Sequence, residues 1–301
     1  MKFIYERENL TKSIPLMALM ASINIIVAEL AGLSIFVSLV LVLVLPLTSA
    51  IVELCCKDRY FPIYAIATFG LSLALTFWNI ETTIFYVFPS IITGYIFGLL
   101  AKKKVAPVYA IFAATLAQTG ISFALIPFIN FLLQIDIVET FKTALGLANN
   151  SNINIIVPTF IFFISLIQVS LSQIIVKEEL NKFGVDSKKD ESSNIASCIL
   201  GLTFALFIPL FYFFSLEAGY LFLAMSLYFA VYRIAMSVYG KNYYDLIGYA
   251  IIIAINIVLF ALVQSYLKEA SQLLLLGISS ALICLTSLVF SFLRKKKEKI
   301  Q

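Results

Sequence analysis

Residues 33–55 read LSIFVSLVLVLVLPLTSAIVELC, and no charged side chain interrupts the run before Glu53. About 20 consecutive apolar residues are what a helix needs to cross the hydrocarbon core of a bilayer. A helix that is apolar on every face is buried in a large core or in a membrane. Working outward, the same pattern recurs on both sides. Apolar runs broken by charge predict ten helices at about 13–29, 33–55, 60–78, 83–101, 106–134, 153–176, 196–216, 218–239, 244–267 and 271–293. Glu29 and Gly32 mark the turn between the first two, and Gly120 with Pro127 allows the long fifth helix to bend.

Composition agrees. Of 301 residues, 61% are hydrophobic and 13% charged, with a mean hydropathy of +1.01; a soluble domain holds about 25% charged residues. Ten spans would use about 200 residues, which leaves no room for a folded extramembrane domain. The expected fold class is therefore all-α, a polytopic integral membrane protein.

Orientation follows from the basic residues, which collect on the cytoplasmic side of membrane proteins. Alternating the ten spans places Lys142 and Lys268 on one side and the other 19 of the 21 Lys and Arg residues on the opposite side. Both termini are then cytoplasmic. The leader Met1–Lys12 precedes an apolar stretch without a small-residue cleavage site, and is expected to enter an uncleaved first helix. The net charge of +4 reflects this topology and attraction to anionic lipid headgroups rather than nucleic-acid binding. Lysine in excess of arginine, with frequent Ile, Phe and Asn, fits a bacterial cytoplasmic membrane.

The hydrophilic stretch 177–195 reads as a flexible cytoplasmic linker. It divides the chain into a six-helix part, 1–176, and a four-helix part with a basic tail, 196–301. In the loop 135–152, Ile137, Val138, Phe141, Ala144 and Leu145 share one helical face, so a short interfacial helix is expected.

Several chemistries are excluded. The chain has no histidine, which removes imidazole metal sites, haem ligation and Ser-His-Asp catalysis. It has no GxxxxGK[ST] phosphate loop, no HExxH and no GxSxG. No enzyme activity, metal or cofactor is expected, and any uphill transport draws energy from an ion gradient or another subunit. Cys55, Cys56, Cys198 and Cys284 show no CxxC spacing and read as small buried hydrophobes, with Cys55–Cys56 beside Lys57-Asp58-Arg59 open to acylation or redox chemistry.

Ionisable groups inside a bilayer are functional candidates. Here they are Glu29, Glu53 and Arg233. Glu53 and Arg233 lie at similar depth, and a pair between them would tie the two parts together; snorkelling to water is the simpler alternative. Asn24, Gln118, Asn130, Gln168, Asn256 and Gln264 are uncharged polar groups suited to interhelical hydrogen bonds. Trp78, Asn79, Glu81 and Tyr86 cluster at the turn between the third and fourth helices, as an aromatic belt or as the wall of an outward-facing pocket. Gly94 and Gly98 form a GxxxG, and Ala18 and Ser22 a small-xxx-small pair, both patterns that let backbones approach closely.

The first six helices carry a resemblance. Leu16–Ala21, Leu45-Pro46-Leu47, Cys56-Lys57-Asp58-Arg59 and Pro89–Gly98 closed by Lys102-Lys103-Lys104 resemble the YybS-like family of bacterial membrane proteins. That family is in turn similar to the six-helix substrate-binding S-components of energy-coupling factor (ECF) transporters. The resemblance covers about residues 12–176. It implies capture of a small solute from the outer face, with a transmembrane coupling subunit and ATPases as partners. The helix-1 face that meets the coupling subunit in S-components is an AxxxA, matched here by Ala18 and Ser22. The pocket would be lined by Trp78, Asn79, Glu81, Gln118 and Asn130. The four helices after residue 195 have no counterpart in an S-component. Two alternatives stay open: a self-contained secondary transporter of the ten-helix drug/metabolite class, and a membrane scaffold or assembly factor that transports nothing.

Overall fold

The computed structural model describes residues 7, 9–32, 35–76, 80, 83–134, 136–144, 153–182, 193–263 and 269–298. Its elements are helical throughout: α1 (Leu10–Gly32), α2 (Ile35–Cys55), α3 (Phe61–Leu75), α4 (Phe88–Lys102), α5 (Pro107–Leu133), α6 (Ile137–Ala144), α7 (Ile153–Lys182), α8 (Ser193–Tyr212), α9 (Leu216–Tyr239), α10 (Tyr243–Val263) and α11 (Glu269–Glu298). Seven of these, α1, α5 and α7–α11, are long and apolar enough to cross a membrane, and α2 and α4 contribute shorter apolar segments. The protein is an all-α, multi-pass membrane protein.

Local sequence sets several starts. Pro62, Pro89 and Pro107 stand in the first turns of α3, α4 and α5, where a missing N–H leaves no bond unmade. A π-helical turn, Thr83–Val87, leads into α4. Asp136 caps α6, accepting from the backbone N–H of Val138 at 2.9 Å and of Glu139 at 3.1 Å. This is the short helix expected in the 135–152 loop; Leu145 lies outside the described residues. Two boundaries differ from the sequence reading. α3 stops at Leu75, and α7 runs on to Lys182, so the first six residues of the expected linker are helical. The run Lys177-Glu178-Glu179-Leu180 consists of good helix formers, and Glu179 and Lys182 pair at i,i+3 across its last turn.

The chain forms two compact units. Unit 1 comprises Met1–Phe141 with Phe163–Lys188, and unit 2 comprises Lys142–Phe162 with Lys189–Gln301.

In unit 1, α1 turns Ser13, Met17, Ala21, Asn24 and Ala28 inward, a stripe at three- and four-residue spacing, while Ile14, Leu19, Ile23 and Ile26 stay exposed. α4 packs closely on α2 through Gly94 and Gly98. A second cluster joins Ala50 and Leu54 of α2, Phe97 of α4, Ala110 and Ala114 of α5, and Val169, Val176 and Leu180 of α7. Buried hydroxyls add a network: Asn24 Nδ2 donates to Thr48 Oγ1 at 2.9 Å, and the Tyr64 hydroxyl donates to the same oxygen at 3.3 Å.

In unit 2, α8, α9 and α11 pack together and α10 leans on α11. Ser226 of α9 donates to the Gly201 carbonyl at 3.0 Å and shares a 2.7 Å hydrogen bond with Ser280 of α11.

Candidate functional site

Two polar constellations stand out in unit 1. The first is a seam of uncharged side chains between α4, α5 and α7. Helical spacing puts Thr115, Gln118, Thr119 and Ser122 on one side of α5, and Ser165, Gln168 and Ser172 on one side of α7. Gln118 Nε2 donates to Gln168 Oε1 at 2.6 Å, and Thr93 Oγ1 donates to Gln118 Oε1 at 3.4 Å. Ser122 turns back on its own helix, donating to the Gln118 carbonyl at 3.0 Å.

The remaining hydroxyls are not so well served. The Oγ atoms of buried Thr115, Thr119 and Ser172 have no hydrogen-bond partner. Each such atom costs about 1–3 kcal/mol. Gln118 is the twelfth residue of the 27-residue α5, so the seam sits near the middle of that helix. Three unpaired hydroxyls along that seam mark a place where a polar guest would be stabilised. Hydroxyls and amides both donate and accept, which suits a small, uncharged, hydrogen-bonding solute.

The second constellation is ionic. Lys102, the last residue of α4, directs its three ammonium N–H groups to Glu53 Oε1 at 3.2 Å, Asp58 Oδ1 at 2.6 Å and the Cys56 carbonyl at 2.9 Å. The Glu53 side chain is fully buried, and its Oε2 has no partner. Within unit 1, the partner of Glu53 is therefore Lys102. Gly98 lies one turn before Lys102 and leaves room for the Glu53 side chain, so the carboxylate meets the cation of its own unit. Arg233 Nε donates to Ser287 Oγ at 2.6 Å, inside unit 2.

The ammonium of Lys102 holds the Asp58 carboxyl below its ordinary range, outweighing partial burial. A folded-state value below the unfolded one adds stability at neutral pH, lost as pH falls through the folded value. Asp58 is more than half exposed, so the effect is small and salt-screened. Acid titration of thermal stability should therefore fall less steeply below about pH 4 in Asp58→Asn than in the parent. Identical slopes would show that this contact contributes nothing.

All four cysteines are buried free thiols. Burial pushes the Cys56 thiol up from its ordinary value, which lowers the thiolate fraction that acylation or redox chemistry requires. The small-hydrophobe reading of the pair fits this environment.

Of the residues singled out from sequence, the structure brings Gln118 together with Gln168 and with Thr93. Asn130 stands 12 residues further along α5, about 18 Å up the axis and on another side of the helix. Ala18 and Ser22 are exposed on α1, and Ser22 Oγ donates to the Ala18 carbonyl at 2.9 Å. Trp78, Asn79 and Glu81 lie outside the described residues. Next to them, Ser72 of α3 and Thr76, just past its end, share hydrogen bonds with Thr83 at 2.7 and 2.5 Å. Sequence reasoning missed Thr93, Thr115, Thr119 and Ser172. For Thr115 and Ser172 the signal was there, three and four residues from Gln118 and Gln168, whereas Thr93 carried none.

No family model, curated protein or solved structure matches the chain.

Proposed function

We propose that this protein captures a small, uncharged polar solute in unit 1 and works with partner subunits that supply energy, in the manner of an ECF S-component. The observation that carries the reading is the set of unpaired buried hydroxyls, Thr115, Thr119 and Ser172, on the same helix sides as the Gln118–Gln168 hydrogen bond. Two further features support it. The chain has no phosphate loop of its own, and α1 offers Ala18 and Ser22 as a small-residue face on its exposed side, where another helix can approach closely.

The test is purification of the tagged protein from its native membrane in mild detergent, with mass spectrometry of proteins and small molecules that accompany it. The expected result is a membrane coupling subunit with ATPases, lost from Ala18→Trp/Ser22→Trp, and a small solute released on denaturation. Gln118→Leu/Gln168→Leu should reduce that solute at least tenfold, about the worth of one hydrogen bond. A chain that purifies without ATPase and without solute would refute the proposal. A second reading, a membrane scaffold, is favoured by the narrow cleft at the basic end of the seam, whose volume of about 30 Å³ is the room of a single water. That outcome would support it.

A further inference from the structure

The turn between α4 and α5 leaves this cleft open against the last turns of α7. Phe97, Ala110, Val176 and Leu180 are its buried apolar walls, and Lys104, Lys177 and Asn181 stand exposed at its edge. We propose that the cleft binds the headgroup of an anionic phospholipid carrying free hydroxyls, of the phosphatidylglycerol class, in the leaflet that meets this end of unit 1.

Charge is the first argument. Lys102 takes up Glu53 and Asp58, and Lys182 takes up Glu179. Lys104 and Lys177 have no acidic partner among the described residues, so two unneutralised cations flank one opening. Basic pockets between spanning helices are suited to anionic headgroups. α5 begins at Pro107, a cleft residue, so the positive end of its dipole adds to the field.

Backbone geometry is the second argument. Lys104 adopts φ 52°, a left-handed conformation that favours glycine. The turn holds it there through Lys104 N–H to the Ala101 carbonyl at 3.0 Å and Val105 N–H to the Leu100 carbonyl at 2.9 Å. A lysine is thus fixed where glycine would cost less.

The third argument is the unpaired acceptor Gln173 Oε1, which also lines the cleft. A phosphate alone cannot satisfy it, because an acceptor needs a donor. Gln173 Oε1 is closed in this conformation, and when the half-buried side chain turns towards the opening, the hydroxyls of a glycerol headgroup can donate to it while the phosphate accepts from the lysines. The enclosed space holds little more than a water, so the phosphate stays at the edge and the acyl chains remain on the apolar flank.

Native mass spectrometry of the full-length protein with equal phosphatidylglycerol and phosphatidylcholine tests this. We expect selective retention of phosphatidylglycerol. Lys104→Gln/Lys177→Gln should cut that preference by about fivefold per lysine, about 25-fold together. Lys104→Arg/Lys177→Arg should keep it, and the exposed controls Lys12→Gln/Lys241→Gln should leave it nearly unchanged. Gln173→Leu should narrow the preference for phosphatidylglycerol over phosphatidic acid. Equal retention of the two bulk lipids, or an equal loss in the control pair, would overturn the proposal. Displacement of the lipid by millimolar inorganic phosphate would do so too, and would assign the cleft to a soluble anion.

Discussion

Replacing Gly94 with alanine should destabilise unit 1 by about 3 kcal/mol, at the upper end of overpacking costs. A Cβ at this position would lie 2.2 Å from the Pro46 carbonyl oxygen and 2.5 Å from Ser49 Cβ. Backbone stands on one side of the clash and a short, buried side chain on the other, so no rotamer change relieves it. Gly98→Ala meets Glu53 Cβ at 2.6 Å and the Ala50 carbonyl at 2.8 Å, and should cost a similar amount. The molecule supplies its own controls, because a Cβ on Gly70 or Gly120 meets nothing within 4 Å. Alanine there should be neutral or stabilising by up to about 1 kcal/mol, through helix propensity alone. Thermal unfolding in detergent, read by loss of the monodisperse peak, distinguishes the two classes. If Gly94→Ala proved as stable as Gly120→Ala, the close packing of α2 on α4 would be wrong.

That contrast bears on how much the sequence could disclose. The GxxxG of Gly94 and Gly98 is visible as a pattern and marks a real packing face, whereas Gly70 and Gly120 carry no such spacing and touch nothing. The helices themselves are legible because an apolar run of about 20 residues suits little besides a membrane span. Which side of a helix packs is far harder to read. In α1, the exposed Ile14, Leu19 and Ile23 are as apolar as the buried Met17 and Ala21, so the usual amphipathic contrast is missing. Polar residues are the better guide: Ser13 and Asn24 both fall on the buried stripe. The same logic explains the seam. Gln118 could be picked out alone, but its partners Thr93 and Gln168 come from helices 25 and 50 positions away, and no local periodicity links them. The pairing of Glu53 with Lys102 was hidden for a related reason. Depth along the sequence does not point to Lys102, and only the approach of α4 to α2 brings it to Glu53.

The ion cluster gives the second large effect. Lys102→Met should cost about 3 kcal/mol, because it leaves the buried Glu53 carboxylate without its cation, and breaking such pairs is worth about 3–5 kcal/mol. The lower end applies, since the lysine side chain retains 23% exposure and some water access. Glu53→Gln should be milder, at about 1–2 kcal/mol, because a neutral amide can still accept from the ammonium, which keeps Asp58 and the Cys56 carbonyl. The combination decides the interpretation. If the cost of Lys102→Met is the stranded charge, then adding Glu53→Gln removes that charge and should recover about half or more of the loss. Strictly additive losses would mean that the lysine acts through Asp58 and the Cys56 carbonyl alone. The carboxylate would then be accommodated by the protein without it.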